Sequence, residues 1–164
     1  MKPISIITKV LQYDKIEDID KPDQELVLEA RKACENAYAP YSRFKVGAAV
    51  RLDDGTIVLG SNIENAAFPS GICAERSALY AAASNYPLNK PVTIAIAAMK
   101  DKIFTSEPVT PCGNCRQVIA EETVRNGIQL KVILSGKSNI FIVEEGSDLL
   151  PLQFNGNILS STLP

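Results

Sequence analysis

The chain has 164 residues, 46% of them hydrophobic and 22% charged, enough to bury the core of one ordinary folded domain. Its 17 basic and 19 acidic residues leave a net charge of -2, with no surplus of Lys and Arg to neutralise a phosphate backbone, which argues against a general nucleic-acid binder. The absence of histidine excludes Ser-His-Asp and Cys-His triads and HExxH zinc sites, so soft-metal chemistry falls to the four cysteines, Cys34, Cys73, Cys112 and Cys115.

In chain order, residues 1–22 form an N-terminal extension punctuated by Pro3 and Pro22, with no element assigned. Asp23 can cap a helix in which Leu26, Ala30, Ala33 and Ala37 recur at helical spacing, ending before Pro40. Residues 44–52 and 56–62 read as antiparallel strands joined by a tight turn at Asp53-Asp54-Gly55. Pro69-Ser70-Gly71 leads into an alanine-rich helix over 72–84, followed by a continuous apolar strand over 92–99. Pro111 opens a helix over 112–125 that Asn126-Gly127 closes, and strands follow at 130–134 and 139–143. These elements imply an α/β fold, a three-layer α-β-α sandwich around a mixed five-stranded sheet, with the domain spanning 23–154 and a tail over 155–164.

No apolar run approaches the roughly 20 residues that cross a bilayer. Residues 1–10 carry neither a basic cluster nor a small-residue cleavage site, so the expectation is a soluble, cytoplasmic protein without membrane or nucleic-acid partners. In that reducing compartment, metal binding or redox chemistry is favoured over structural disulfides.

Two segments carry the chemistry: Cys73-Ala74-Glu75 at the start of one helix and Pro111-Cys112-Gly113-Asn114-Cys115 at the start of the next. Unpaired N–H groups and the positive end of the helix dipole stabilise anions there, favouring the thiolates a metal needs. Cys112 and Cys115 share a helix face, whereas residues two apart, such as Cys73 and Glu75, point about 200° apart around a helix. One site can use both only if it lies off the helix end, so both helix tips must converge on one point. Three thiolates leave a tetrahedral zinc ion one open position for water, as in catalytic sites; structural sites fill all four. Three thiolates and the dication sum to one negative charge, which Arg76 can offset through hydrogen bonds to sulfur. Alternatives remain. CGNC alone is a thiol-disulfide motif, and a structural zinc site would need Cys34 as its fourth ligand, although Cys34 is expected in core packing.

Taken together, Tyr41-Ser-Arg-Phe-Lys-Val-Gly-Ala, Asn62-Ile-Glu-Asn, Cys73-Ala-Glu-Arg and Pro111-Cys-Gly-Asn-Cys-Arg-Gln resemble the cytidine deaminase family, in its small, homotetrameric, three-cysteine branch. The resemblance spans roughly residues 23–154. It implies Zn²⁺ held by Cys73, Cys112 and Cys115, hydrolytic deamination of cytidine or deoxycytidine in pyrimidine salvage, and Glu75 as the proton shuttle, in keeping with the general chemistry of zinc deaminases. It further implies that Asn62 and Glu64 bind the ribose, that Phe44 walls the pyrimidine pocket, and that Ala74 belongs to the substrate-binding set. Phe154 is implied to reach the base bound by a neighbouring subunit, so that active sites are shared within a homotetramer. Residues 62 and 64 point to the same side of an extended segment, so both side chains can meet one hydroxyl. Phe68 stands where the family often has tyrosine, which removes a hydroxyl. Another aminopyrimidine nucleoside, such as blasticidin S, is the alternative substrate, and nucleic-acid editing is disfavoured by the acidic balance.

Overall fold

The computed structural model describes residues 1–156. Alternation along β2 (Phe44–Leu52) sends Ala48, Val50 and Leu52 to one face and Ala49 to the other, and both faces are buried. A strand with two buried faces must lie inside a sheet with helices on either side. α1 (Lys21–Ala33) covers one face, packing Leu26, Val27 and Ala30 against Ala49, Ala95, Ala97 and Ile133. α2 (Ala74–Asn85) and α3 (Gly113–Asn126) cover the other, with Ala78, Leu79 and Ile119 against Val50, Ile94, Ile96 and Leu134. The three-layer arrangement expected from the sequence is therefore present.

The sheet differs from expectation in having seven strands rather than five. With β1 (Leu11–Tyr13), β3 (Ile57–Ser61), β4 (Pro91–Lys100), β6 (Lys131–Ser135) and β7 (Ile140–Val143), its order is β1-β7-β6-β4-β2-β3. The short β5 (Ile103–Phe104) folds back on the end of β4. Among the strands of the described residues only β4 and β6 pair in parallel, with α3 in the crossover between them, so the sheet is mixed as expected. Both added strands are too short to carry a period. β1 comes from the N-terminal extension, where Leu11 and Tyr13 pair with Ile142 and Ile140 while packing against the α1-side core.

A second correction concerns Asp23, which does not cap α1. Asp20 occupies the N-cap position, Pro22 follows in the first turn, and Asp23 is 3% exposed. Its two carboxylate oxygens bind Arg51 Nη2 and Lys131 Nζ, each at 2.6 Å, and Arg51 also donates to Pro22 O and Thr93 Oγ1. A buried charge is tolerable only when it is so paired. The pairing locks the start of α1 to β2 and β6.

Two strand glycines set how closely helices approach the sheet. A Cβ on Gly60 would lie 2.3 Å from Ala78 N and 2.5 Å from Ala74 O, in the backbone of α2. On the opposite face, a Cβ on Gly47 would lie 2.2 Å from Ala30 O in α1. No helix among the described residues is long and apolar enough to cross a membrane.

Candidate active site

Close contact at Gly60 fixes the first turn of α2, and with it Cys73, which is the N-cap residue of that helix. Cys112 is likewise the N-cap of α3, and Cys115 lies one turn inside it. The two helix tips meet, as the spacing requires: Cys112 Sγ is 3.8 Å from Cys73 Sγ and 3.5 Å from Cys115 Sγ, and all three sulfurs lie within 4.8 Å of one another. Arg116 steadies the second tip by donating to Pro111 O at 2.9 Å and to Leu149 O at 3.1 Å.

The electrostatics of the cluster call for a cation. Hydrogen bonding from the Cys115 thiol, with a further contribution from Arg76, pulls Cys73 down to about 5. The Cys73 sulfur in turn pushes the Cys115 thiol well above the ordinary range. One proton leaves easily and the next does not, because adjacent thiolates repel. A tetrahedral zinc ion, with Zn–S distances of about 2.3 Å, spaces its sulfurs by about 3.8 Å, close to the separations here. The donor set therefore fits zinc in both chemistry and size. Arg76 Nη2 stands 4.0 Å from Cys73 Sγ, the place expected of a charge-balancing group, and its buried Nε has no hydrogen-bond partner.

A cavity of about 650 Å³ opens beside the cluster. Glu75 borders it and is only 5% exposed; burial pushes its carboxyl above the usual carboxylate range, and the charge on Cys73 adds to that. Ala74, Asn62 and Glu64 also border the cavity. Asn62 Oδ1 accepts from Val46 N–H at 2.7 Å and its Nδ2 donates to Phe44 O at 3.0 Å, so the amide extends the β2 ladder by one pairing. Glu64 accepts from Tyr41 N–H at 2.9 Å, from Ser42 N–H at 3.3 Å and from the Ser42 hydroxyl.

Neither Phe44 nor Phe154 bounds the cavity. Phe44 lies on the same strand face as Val46, which does. Phe154 is 60% exposed, and its carbonyl accepts from Gln117 Nε2 at 2.8 Å. At the mouth, the Tyr41 and Phe68 rings meet edge to face, 6.0 Å apart. Tyr41 and Ser42 belong to a motif legible in the sequence, yet their bonds to Glu64 join segments more than twenty residues apart and leave no local pattern.

Cys34 is buried in the α1-side core, its thiol bonded to Ala97 O at 3.3 Å and raised to about 11 by burial. The sheet separates it from the cluster, so it cannot complete a structural zinc site.

A family model described as the cytidine and deoxycytidylate deaminase zinc-binding region matches residues 20–130. The cytidine deaminase of Halalkalibacterium halodurans is 50% identical over 98 residues, which cover 60% of this chain and 70% of that protein. A crystal structure of cytidine deaminase from Burkholderia pseudomallei superposes with a TM-score of 0.68 at 36% identity, covering 79% of this chain and 97% of the other. For cytidine deaminase from Mycobacterium tuberculosis the TM-score is 0.64 at 32% identity, with 82% and 98% covered.

Proposed function

The chain belongs to the cytidine and deoxycytidylate deaminase family, and on that premise we propose that it hydrolyses the 4-amino group of cytidine or deoxycytidine, with Glu75 moving the protons. The observation that carries this is the buried Glu75 carboxyl beside three convergent thiols at the end of one cavity. Cys73, Cys112 and Cys115 would hold zinc, which supplies Lewis acidity for activating water at neutral pH.

Glu75 takes one proton from the attacking water and delivers it to N3 of the pyrimidine. It then carries the second to the departing amino group, so that water's oxygen remains on C4 and ammonia leaves. Burial suits the carboxyl to both halves of the cycle, since a group held above its ordinary range can keep a proton between the two transfers. Arg76 offsets the excess negative charge of three thiolates. Asn62 and Glu64, which border the cavity, bind the sugar, and Ala74 belongs to the base pocket; Phe44, outside the cavity lining, is assigned no contact with the base. Phe154 serves the cavity of a neighbouring copy in a homotetramer. The exposure of Phe154 and its place outside its own chain's cavity support that last assignment. The setting is cytoplasmic pyrimidine salvage.

The test is the release of uridine and ammonia from cytidine by zinc-loaded protein, with zinc content measured in parallel. Glu75→Gln should keep the metal and lose about 10²-fold or more of the rate. Equal turnover by the two proteins would remove Glu75 from the chemistry, and no turnover by either would remove the activity.

A further inference from the structure

Glu64 is one of the residues assigned to the sugar, and its carboxylate is already partly engaged. An ionised carboxylate offers about four acceptor positions and no donor. Three are filled by Tyr41 N–H, Ser42 N–H and the Ser42 hydroxyl, which leaves room for one further donor. The Ser42 hydroxyl has a single proton, given to Glu64 Oε1, and its oxygen accepts from Phe44 N–H at 2.9 Å. Both bonds together fix the direction of the hydroxyl. Between Ser42 and Phe44, Arg43 adopts a left-handed backbone with φ of 55°, a conformation that a non-glycine residue takes at some cost. That turn lets Phe44 N–H reach back to Ser42 Oγ. Ser42 and Glu64 both border the cavity.

We propose that Ser42 is a specificity-determining positioning residue: it orients Glu64 so that the carboxylate's remaining acceptor position receives a sugar hydroxyl of the bound nucleoside. Cytidine and deoxycytidine share the 3′- and 5′-hydroxyls, and of these the 3′-hydroxyl is the one assigned to Glu64. The proposal rests on the reading that Glu64 contacts the sugar. The Ser42 hydrogen bond also holds the Glu64 carboxyl below the usual range, keeping it an obligate acceptor. A site built around such an acceptor rejects a ligand that lacks the matching donor.

The test compares kcat/KM for deoxycytidine and 2′,3′-dideoxycytidine, which differ only at the 3′ position, in wild type, Ser42→Ala, Ser42→Thr and Glu64→Ala. Wild type should prefer deoxycytidine. In Ser42→Ala that preference should drop by about tenfold, carried mainly by a higher KM for deoxycytidine, and Ser42→Thr should restore it. A Ser42→Ala protein that loses both substrates equally, or keeps the wild-type preference, overturns the proposal. If Ser42→Ala fails to fold, Ser42→Gly takes its place. Glu64→Ala separates the two levels: an unchanged preference there sinks the contact between Glu64 and the 3′-hydroxyl, whereas a lost preference there with a wild-type preference in Ser42→Ala sinks only the role of Ser42.

Discussion

Gly60→Ala tests whether the contact between sheet and helix places the three-cysteine cluster. The added methyl meets Ala78 N at 2.3 Å and Ala74 O at 2.5 Å, and backbone atoms cannot rotate away as a side chain would. Reaching an ordinary separation of about 3.4 Å requires α2 to move off β3 by about 1 Å. The displaced segment is the first turn of the helix, which carries Cys73 and Glu75, whereas Cys112 and Cys115 belong to α3 and need not follow. Overpacking of this kind costs about 1–3 kcal/mol, or roughly 3–10 °C in Tm for a chain of this size. A misplacement of about 1 Å at a reacting centre costs on the order of 10²-fold in rate, equivalent to about 2.7 kcal/mol of barrier. Gly47→Ala is the control, because its methyl clashes equally hard with the backbone at Ala30 and Cys34, on the face of the sheet opposite α2 and α3. Tm, bound zinc and kcat/KM for cytidine would be measured for both. The expected result is similar thermal destabilisation, with kcat/KM and zinc affinity falling much further in Gly60→Ala. Equal effects of the two substitutions on kcat/KM would refute the idea that this contact positions the site.

Three further outcomes follow from the same structure. Asp23→Asn leaves Arg51 and Lys131 without their shared buried partner, so urea denaturation should show a loss of about 3 kcal/mol with little change in kcat. Thiol titration of the native, chelator-treated protein should find Cys34 unreactive until the protein unfolds, because it is buried and its thiol is raised to about 11, whereas the exposed Cys112 should react in the native state. Calorimetry in buffers of different ionisation enthalpy should show fewer than three protons released per zinc bound at pH 7. Cys73, held at about 5, is already a thiolate there, and as pH falls through 5 it regains a proton that zinc must then displace, so the count rises at lower pH.

The site was legible where its determinants are local. Cys73 and Cys112 each mark a helix start, and the spacing of CAE and PCGNC forces the two tips together; the structure brings their sulfurs within 4.8 Å. Most helix and strand positions were legible for the same reason, since their periods are carried by neighbouring residues, although the first helix ends at Ala33 and Ala37, expected within it, is extended. The misreadings are non-local. Asp23 has the composition of a cap, but its partners lie 28 and 108 residues away, and nothing near it in the chain signals burial. β1 has three residues and owes its existence to pairing with β7, some 130 residues on. Gly47 and Gly60 look like weak points within strands, and only the close helix backbones explain why a side chain is forbidden there. The bond between Ser42 and Glu64 belongs to the same class: the motif is visible in the chain, and its purpose only in three dimensions.

The central claim is that three cysteine sulfurs share one zinc ion and leave a position free for water. X-ray absorption at the zinc edge on the loaded protein measures the number of sulfurs directly. The structure predicts three sulfur neighbours at about 2.3 Å and one lighter atom at about 2.0 Å, falling to two sulfurs in Cys112→Ala if metal is retained at all. Four sulfurs in the wild-type shell, or three remaining after Cys112→Ala, would contradict it.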